Sequence, residues 1–487
     1  MHLFRRALIS ALILASSAAF AAAPLSDALT AKRPIDGEYM GLYLMGKKVG
    51  YIFTNLKFAA GTKDRAESVN EFVFKAALGS KDKIAQRYLK ETRIYEAKPG
   101  GKLLSFTVEQ RGDGGDQTLE ATATPKGLQV IRKRPGMPNE VLKTLPSSKE
   151  TIEDADQARV AVKRNTNVEG WTTDGTDLDT YKVTTTLGAQ SSRTFGGVTV
   201  KVRQVTILSD KEKVPADAWI DEQGRMVEMS FGSNMKAVLE PEDKAKKIEA
   251  DQQVEVFGLT RIVLPKDPSP VAQALPGEMR MTMAGFPDKF RKDSYRQKYS
   301  SLPNDQVEVV ITALPVKTAN KVRPLADPNG GANLKSNLTV ESDNPQIKEQ
   351  AQKIAGSEKN AYEAAKKISD WVHRSMQNDY GSSSDRATDV LRTMKGDCTE
   401  HALLTVALLR AAGIPAKRID GVVYLKQEDG VPALYWHEWV EAYVGEWTQL
   451  DPTFGQEVAD ATHFAVGEEG NAEITPLIGQ IKVLKVQ

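Results

Sequence analysis

The chain lacks most of the features that would announce its class. It has one cysteine in 487 residues, so no disulfide within the chain can hold it together. Its 65 Lys and Arg residues stand against 64 Asp and Glu, a net charge of +1 that removes the overall electrostatic case for nucleic acid or another polyanion. Beyond the first two dozen residues no apolar run is long and uncharged enough to span a membrane. Histidine is scarce too: five residues are the whole supply of imidazole bases or ligands. At this length one core is not enough, and two or three domains are expected.

What is present begins with a leader. Arg5 and Arg6 precede an apolar run at 7–15, and Ala19-Phe20-Ala21 offers a small-residue cleavage site. Residues 1–22 therefore read as a secretory signal, and the mature chain as an exported, periplasmic, soluble protein. No cysteine follows the leader, which argues against a lipoprotein anchor.

Residues 23–264 read as a β-rich domain of unassigned role. Strand-like runs fall at 39–45, 49–58, 68–76, 88–96, 103–109, 119–124, 128–133, 181–186, 198–208 and 226–231, separated by Gly-containing turns and with almost no helical periodicity. Ile94-Tyr95-Glu96 before Gly101 is echoed by Trp219-Ile220-Asp221 before Gly224, each a strand–turn–strand unit. Two acidic turns, at 113–116 and 174–179, lack the spacing and terminal Glu of a calcium loop, so no metal is expected there. Residues 265–335 are punctuated by Pro265, Pro268, Pro270 and Pro276 and read as a linker with a β extension, in which 279–283 and 307–312 pair.

From Asn344 the period becomes helical. Asn344 and Pro345 mark a helix start, with Ile347, Ala351 and Ile354 on one face and Gly356 as the stop. A second helix buries Ala361, Ala365, Ile368, Trp371 and Val372 and leaves His373 on its polar side. A third runs from Asp385 to Gly396. The fourth opens at Gly396-Asp397-Cys398-Thr399-Glu400-His401-Ala402, is apolar nearly all round through Leu409, and ends at Gly413 before Pro415. Cys398 thus sits in the first turn of a central helix. Read blandly, a lone cysteine is an inert, buried thiol. Here the helix N-terminus favours a thiolate while Asp397 and Glu400 oppose it, so activation needs a cationic partner from elsewhere.

That partner is available in 434–444, a strand in which His437, Trp439, Glu441 and Tyr443 share a face. A turn at Gly445-Glu446 then leads to Asp451-Pro452. An imidazole that takes the thiol proton, and a carboxylate that orients it, would complete a nucleophilic site. A strict two-residue loop would turn Asp451 away from His437. The triad requires an odd-length loop or a bulge, such as one pairing Glu441 with Asp451. His401, one turn beyond Cys398, and His463, read as capping or packing, are lesser candidates for the base. A zinc site from Cys398, His401 and His437 lacks a second ligand pair at suitable spacing. Trp436, Trp439 and Trp447 line either a groove or the core. The backbone N–H of Cys398 is expected in an oxyanion hole, with Tyr380 as a candidate side-chain donor.

Four segments together, Gly396-Asp397-Cys398-Thr399-Glu400-His401-Ala402, Leu409-Arg410-Ala411-Ala412-Gly413-Ile414-Pro415-Ala416, His437-Glu438-Trp439-Val440-Glu441 and Asp451-Pro452-Thr453, resemble the transglutaminase-like superfamily. The resemblance covers about 344–463, within a domain at 336–487. It implies an α+β fold with a papain-like core behind the mostly antiparallel β domain, with Cys398 as nucleophile, His437 as base and Asp451 as orienting acid. It also implies acyl chemistry on protein or peptide amides, as a peptidase, amidase or transglutaminase, with no cofactor. The β domain is then free to bind another envelope component. The alternative is a non-catalytic envelope binding or scaffold protein that keeps the fold.

Overall fold

The computed structural model describes residues 24–487 apart from 78–83, 113–115, 143, 176–177, 196, 212–214, 233, 249–254, 269–276, 318–319, 381–383, 385, 428 and 469–476. The segment at 1–22 read as a leader, parts of both acidic turns, Pro270, Pro276 and the helix start expected at Asp385 lie outside the described residues.

The first half of the chain builds one antiparallel sheet. Its strands are β1 (Glu38–Leu44), β2 (Lys47–Phe58), β3 (Arg65–Ala77), β4 (Ile84–Glu96), β5 (Leu103–Gly112), β6 (Gln117–Thr124), β7 (Gly127–Lys133) and β8 (Glu140–Val141). After a helix, α1 (Gln157–Arg164), come β9 (Val168–Thr173), β10 (Thr180–Phe195), β11 (Val198–Ser209), β12 (Ala216–Asp221), β13 (Met226–Phe231) and β14 (Met235–Glu240). Each strand of β1–β8 and of β9–β14 pairs with its neighbour, and β1 joins β14 through Tyr39 opposite Glu240, so two meanders become one 14-stranded sheet. The two echoing segments are the hairpins β4–β5 and β12–β13. Each carries a register shift at the equivalent step, between Ile94 and Tyr95 and between Trp219 and Ile220.

Helix α1 was not legible in the periodicity. It is eight residues of mostly small or polar side chains, started by Asp156, which accepts the Arg159 N–H, and stopped by Asn165 at φ 52°. It packs inside the sheet: Ala158 joins the core of Met40, Val205 and Ile220, and Val160 joins that of Leu56, Tyr95 and Phe106. Buried Arg159 donates to Glu38, to Asp156 at 3.1 Å and to the Gly224 carbonyl at 2.6 Å. A buried guanidinium is tolerable only when paired this fully.

The second half is α+β. Strands β15 (Ile262–Val263), β16 (Gly277–Ala284), β17 (Gln297–Leu302) and β18 (Gln306–Ala313) precede helices α2 (Pro345–Ala355), α3 (Ala361–Ser375), α4 (Ala387–Thr393) and α5 (Cys398–Ala411). Strands β19 (Ala416–Lys426), β20 (Pro432–Tyr443), β21 (Trp447–Leu450), β22 (Phe464–Glu468) and β23 (Lys482–Val486) complete it. The expected pairing of 279–283 with 307–312 is the β16–β18 ladder, with Met279 opposite Ile311. This stretch is more than a spacer. Strand β16 also pairs with β23, and its methionines share a core with Val422, Leu434 and Phe464.

Around α5 the helical reading holds. Every residue of 400–410 is buried, and α2, α3 and α4 contribute Ile347, Ala351, Ile368, Val372 and Val390 to the surrounding core. Each buried leucine there stabilises by roughly 1.5–3 kcal/mol. Helix α4 is shorter than its periodicity implied, ending at Thr393 because Met394 adopts a left-handed φ of 51°.

Asp389 of α4 docks the helices onto the sheet. Arg132 of β7 reaches it at 3.4 Å, and Arg134 also pairs with it. The Arg132 side chain is almost fully buried, so Asp389→Ala leaves its charge with Glu140 alone. The expected loss is about 1–3 kcal/mol, read as a lower urea midpoint. An unchanged midpoint would show that this joint contributes nothing.

Candidate active site

The loop between β20 and β21 decides whether the carboxylate can reach the ring. Tyr443 pairs with Trp447, Ala442 with Thr448, Glu441 with Gln449 and Val440 with Leu450. The connection is therefore Val444-Gly445-Glu446, an odd-length loop with Gly445 at φ 110°. Odd length keeps Asp451 on the His437 face, as the chemistry requires. The partner suggested for Glu441 is corrected: it is Gln449, two residues before Asp451.

His437 Nε2 lies 2.7 Å from Asp451 Oδ2, and the ring stacks on Phe454 with centroids 4.7 Å apart. Asp451 Oδ1 accepts the backbone N–H groups of Thr453 at 2.7 Å and Phe454 at 3.1 Å. His463 Nε2 is 2.9 Å from the same Oδ2, and its Nδ1 is 3.2 Å from Asp460 Oδ1. Burial works to raise the Asp451 carboxyl, but the two imidazoles outweigh it and hold it well below the usual carboxylate range. Asp460 is treated likewise and falls to about 2. Burial works to lower His463, yet its two aspartates leave it raised.

Cys398 is half-buried at the head of α5. Asp397 accepts the Thr399 N–H at 2.8 Å and Glu400 accepts the Asp397 N–H at 2.9 Å, a reciprocal cap that explains why two acids flank the thiol. Burial first, then the charges of Asp397 and Glu438, push the thiol well above its ordinary value, while a hydrogen bond from the Glu438 backbone N–H opposes them. That amide belongs to the residue after His437, so the thiol lies against β20. Glu400 is itself pushed up to about 8 by burial and Asp397. Glu438, buried and bonded to Arg418 at 3.1 Å, is raised by burial and Asp420. The helix N-terminus alone does not make a thiolate here.

The other histidines are accounted for differently than their positions implied. His401 donates from Nδ1 to the Asp397 carbonyl at 2.7 Å, so its own helix holds it. His373 is half-buried, not a free surface group, with Nδ1 at 3.2 Å from both the Pro452 and Thr453 carbonyls. It braces the turn after Asp451. His463 does more than cap or pack, since it shares the acid with His437. Asp460 was missed altogether, and the Asp460-x-x-His463 spacing was its only signal. Trp439 is fully buried with its N–H on Gln449 at 2.9 Å, and Trp436 is half-buried, donating to the Thr260 carbonyl at 3.2 Å. Tyr380 is exposed, packs edge-on against Phe257, and lies near enough to Cys398 for a thiolate there to raise its hydroxyl, after burial.

Among the described residues His437, Asp451 and His463 bring three ligand-type atoms within 4.8 Å of one another. Both contacts to Asp451 Oδ2 have hydrogen-bond length, and the remaining His463 nitrogen is used by Asp460, so the cluster is built as a proton network. Its stability should depend on pH in a defined sense. The lowered Asp460 contributes above the unfolded carboxylate value near 3.9 and loses that contribution as pH falls towards 2. The raised His463 contributes fully below about 6.5 and loses it as pH climbs through its folded value. Asp460→Asn should therefore cost about 2 kcal/mol near pH 6, roughly half that at pH 3 and little near pH 1, by urea unfolding. A cost independent of pH would refute this assignment.

Residues 348–452 match the family model of the transglutaminase-like superfamily. An uncharacterized protein of Mycobacterium leprae is 30% identical over 95 residues, 19% of this chain and 34% of that one. Another, from Haemophilus influenzae, is 38% identical over 81 residues, 16% of this chain and 22% of its own. The shared region thus spans about a third or less of these curated relatives. Among solved structures, a proposed cysteine protease from Cytophaga hutchinsonii aligns with a TM-score of 0.31 and 16% identity, over 43% of this chain and 85% of that one. A beta-barrel-like protein from Brucella abortus aligns at 0.31 and 13%, over 42% and 94%. Likeness that loose says nothing about chemistry. Together with the α+β fold, the sequence match establishes that the C-terminal part of this chain is a transglutaminase-like domain.

Proposed function

We propose that the protein is a cysteine-dependent acyl-transfer enzyme acting on protein or peptide amides in the cell envelope. The observation that carries this reading is the buried His437–Asp451 pair at 2.7 Å, with the chain's one thiol taking a hydrogen bond from the backbone N–H of the next residue, Glu438. With Nε2 committed to Asp451, Nδ1 is the nitrogen left to exchange a proton with Cys398. Cys398 Sγ attacks the amide carbonyl as its proton passes to His437. His437 returns that proton to the departing amine, and water or a second amine then releases the acyl group from sulfur. The acids around Cys398 make the resting group a thiol, so the base has a necessary role.

The leader at 1–22 supports an envelope location. Among the described residues no helix is long and apolar enough to cross a membrane. The β sheet is assigned to substrate positioning. A cleft of about 580 Å³ has Tyr88, Arg111 and Arg134 of the sheet on one side and Thr399, Glu400 and Leu403 of α5 on the other. Its helical wall begins one residue beyond the nucleophile.

Because Cys398 is the sole cysteine, iodoacetamide reports on it alone. His437→Ala should slow its alkylation at pH 7 by at least tenfold, on the order of a lost general base. Equal rates would remove His437 from the mechanism. Cys398→Ser should abolish turnover in a screen of envelope peptides and thioesters. Full rescue of a deletion strain by that same variant would favour a scaffold instead.

A further inference from the structure

Every group around the two aspartates is a donor. Asp460 Oδ1 accepts from the Thr462 N–H at 2.8 Å, the Thr462 hydroxyl at 2.6 Å and His463 Nδ1 at 3.2 Å, and Oδ2 accepts from Gln456 Nε2 at 2.9 Å. Asp451 accepts two backbone N–H groups on one oxygen and two imidazoles on the other. Carboxylates so surrounded are ionised and accept only. Both nitrogens of His463 face such oxygens, so both must carry hydrogen. The ring is fully buried, out of reach of bulk solvent. From donor and acceptor counting alone, His463 is an imidazolium.

We propose that His463 is a charged positioning residue for His437: it holds the shared Asp451 oxygen in place and offsets part of its negative charge. The role rests on reading His437 as the base. Two ring centroids 6.0 Å apart separate the charges that would coexist when His437 is protonated. At an effective dielectric of about 20, one positive charge at that distance displaces the titration of another by roughly two pH units. A lone His–Asp pair would overstabilise the protonated base, and the buried cation corrects this. Other charged or titratable groups also face the network. Cys398 and His401 come from α5 and His373 from α3 onto the turn after Asp451. Arg296 donates to the Asp460 carbonyl at 2.6 Å, and Glu438 flanks His437 along β20. None of these donates a hydrogen bond to the shared Asp451 oxygen.

The test needs no substrate. In full-length Cys398→Ser protein, which removes coupling to the thiol, the His437 ring is titrated by NMR and its signal assigned by its loss in His437→Ala. His463→Gln keeps a neutral N–H donor in place of the cation. The His437 midpoint should rise by about one to two pH units in that variant. Nitrogen shifts of His463 should show both ring nitrogens protonated from pH 5 to 8. Should His463→Gln fail to fold, the nitrogen shifts of His463 in the Cys398→Ser protein decide the matter by themselves. An unchanged His437 midpoint in a folded variant, or a neutral pattern at His463, would overturn the proposal. A purely structural histidine would leave the midpoint where it was. Because nothing is turned over, the titration can succeed even if the peptide screen finds no activity, so the two ideas fail separately.

Discussion

One buried carboxylate organises the site. Asp451 has no solvent to stabilise its charge, so four N–H donors must do so, and each comes from a different position: two backbone groups of its own turn and two rings. A buried anion missing part of such a shell costs several kcal/mol. The shell explains much that surrounds it. The three-residue loop sets the face of Asp451, the turn at 452–454 wraps its second oxygen, His373 braces that turn, and Phe454 lies flat on His437. What looks like a collection of polar contacts is one requirement met from several directions.

The thiol sits under an opposite constraint. Its surroundings are acidic because the helix that presents it is capped by acids, and a capping box is the economical way to satisfy N–H groups at the head of a wholly buried helix. Capping and thiolate formation therefore compete at the same turn. Burial raises both Glu438 and Glu400, and at Glu400, pushed up to about 8, this relieves part of the conflict by leaving the carboxyl largely neutral near pH 7. The arrangement favours a thiol that keeps its proton unless a defined acceptor is at hand.

The sheet and the helices are not independent bodies joined by a tether. Asp389 ties α4 to β7, and Asn234 of the sheet donates to the Ile478 carbonyl at 2.5 Å near the last strand. Within the sheet, α1 and Arg159 hold the two meanders to a common interior. The same architecture lets the sheet form one wall of the cleft alongside α5.

Local rules were enough for much of this molecule. The period-two runs foretold most strands, Asn344-Pro345 starts a helix by capping, and the all-round apolar character of 403–409 announced a helix packed on every side. The segments bearing Cys398, His437 and Asp451 were legible because each is a contiguous motif with its own turn or cap. Other features had no local signature. Helix α1 is too short and too rich in small residues to show a stripe, and strands β9 and β14 form where the sheet offers a partner edge. Beyond their Asp-x-x-His spacing, Asp460 and His463 carry nothing that separates them from ordinary polar residues in a loop. Only the fold brings them to Asp451, because a hydrogen-bond shell around a buried charge is assembled from wherever the chain happens to pass. Sequence alone determined which chemistry was present; tertiary structure decided which groups answer the buried charge.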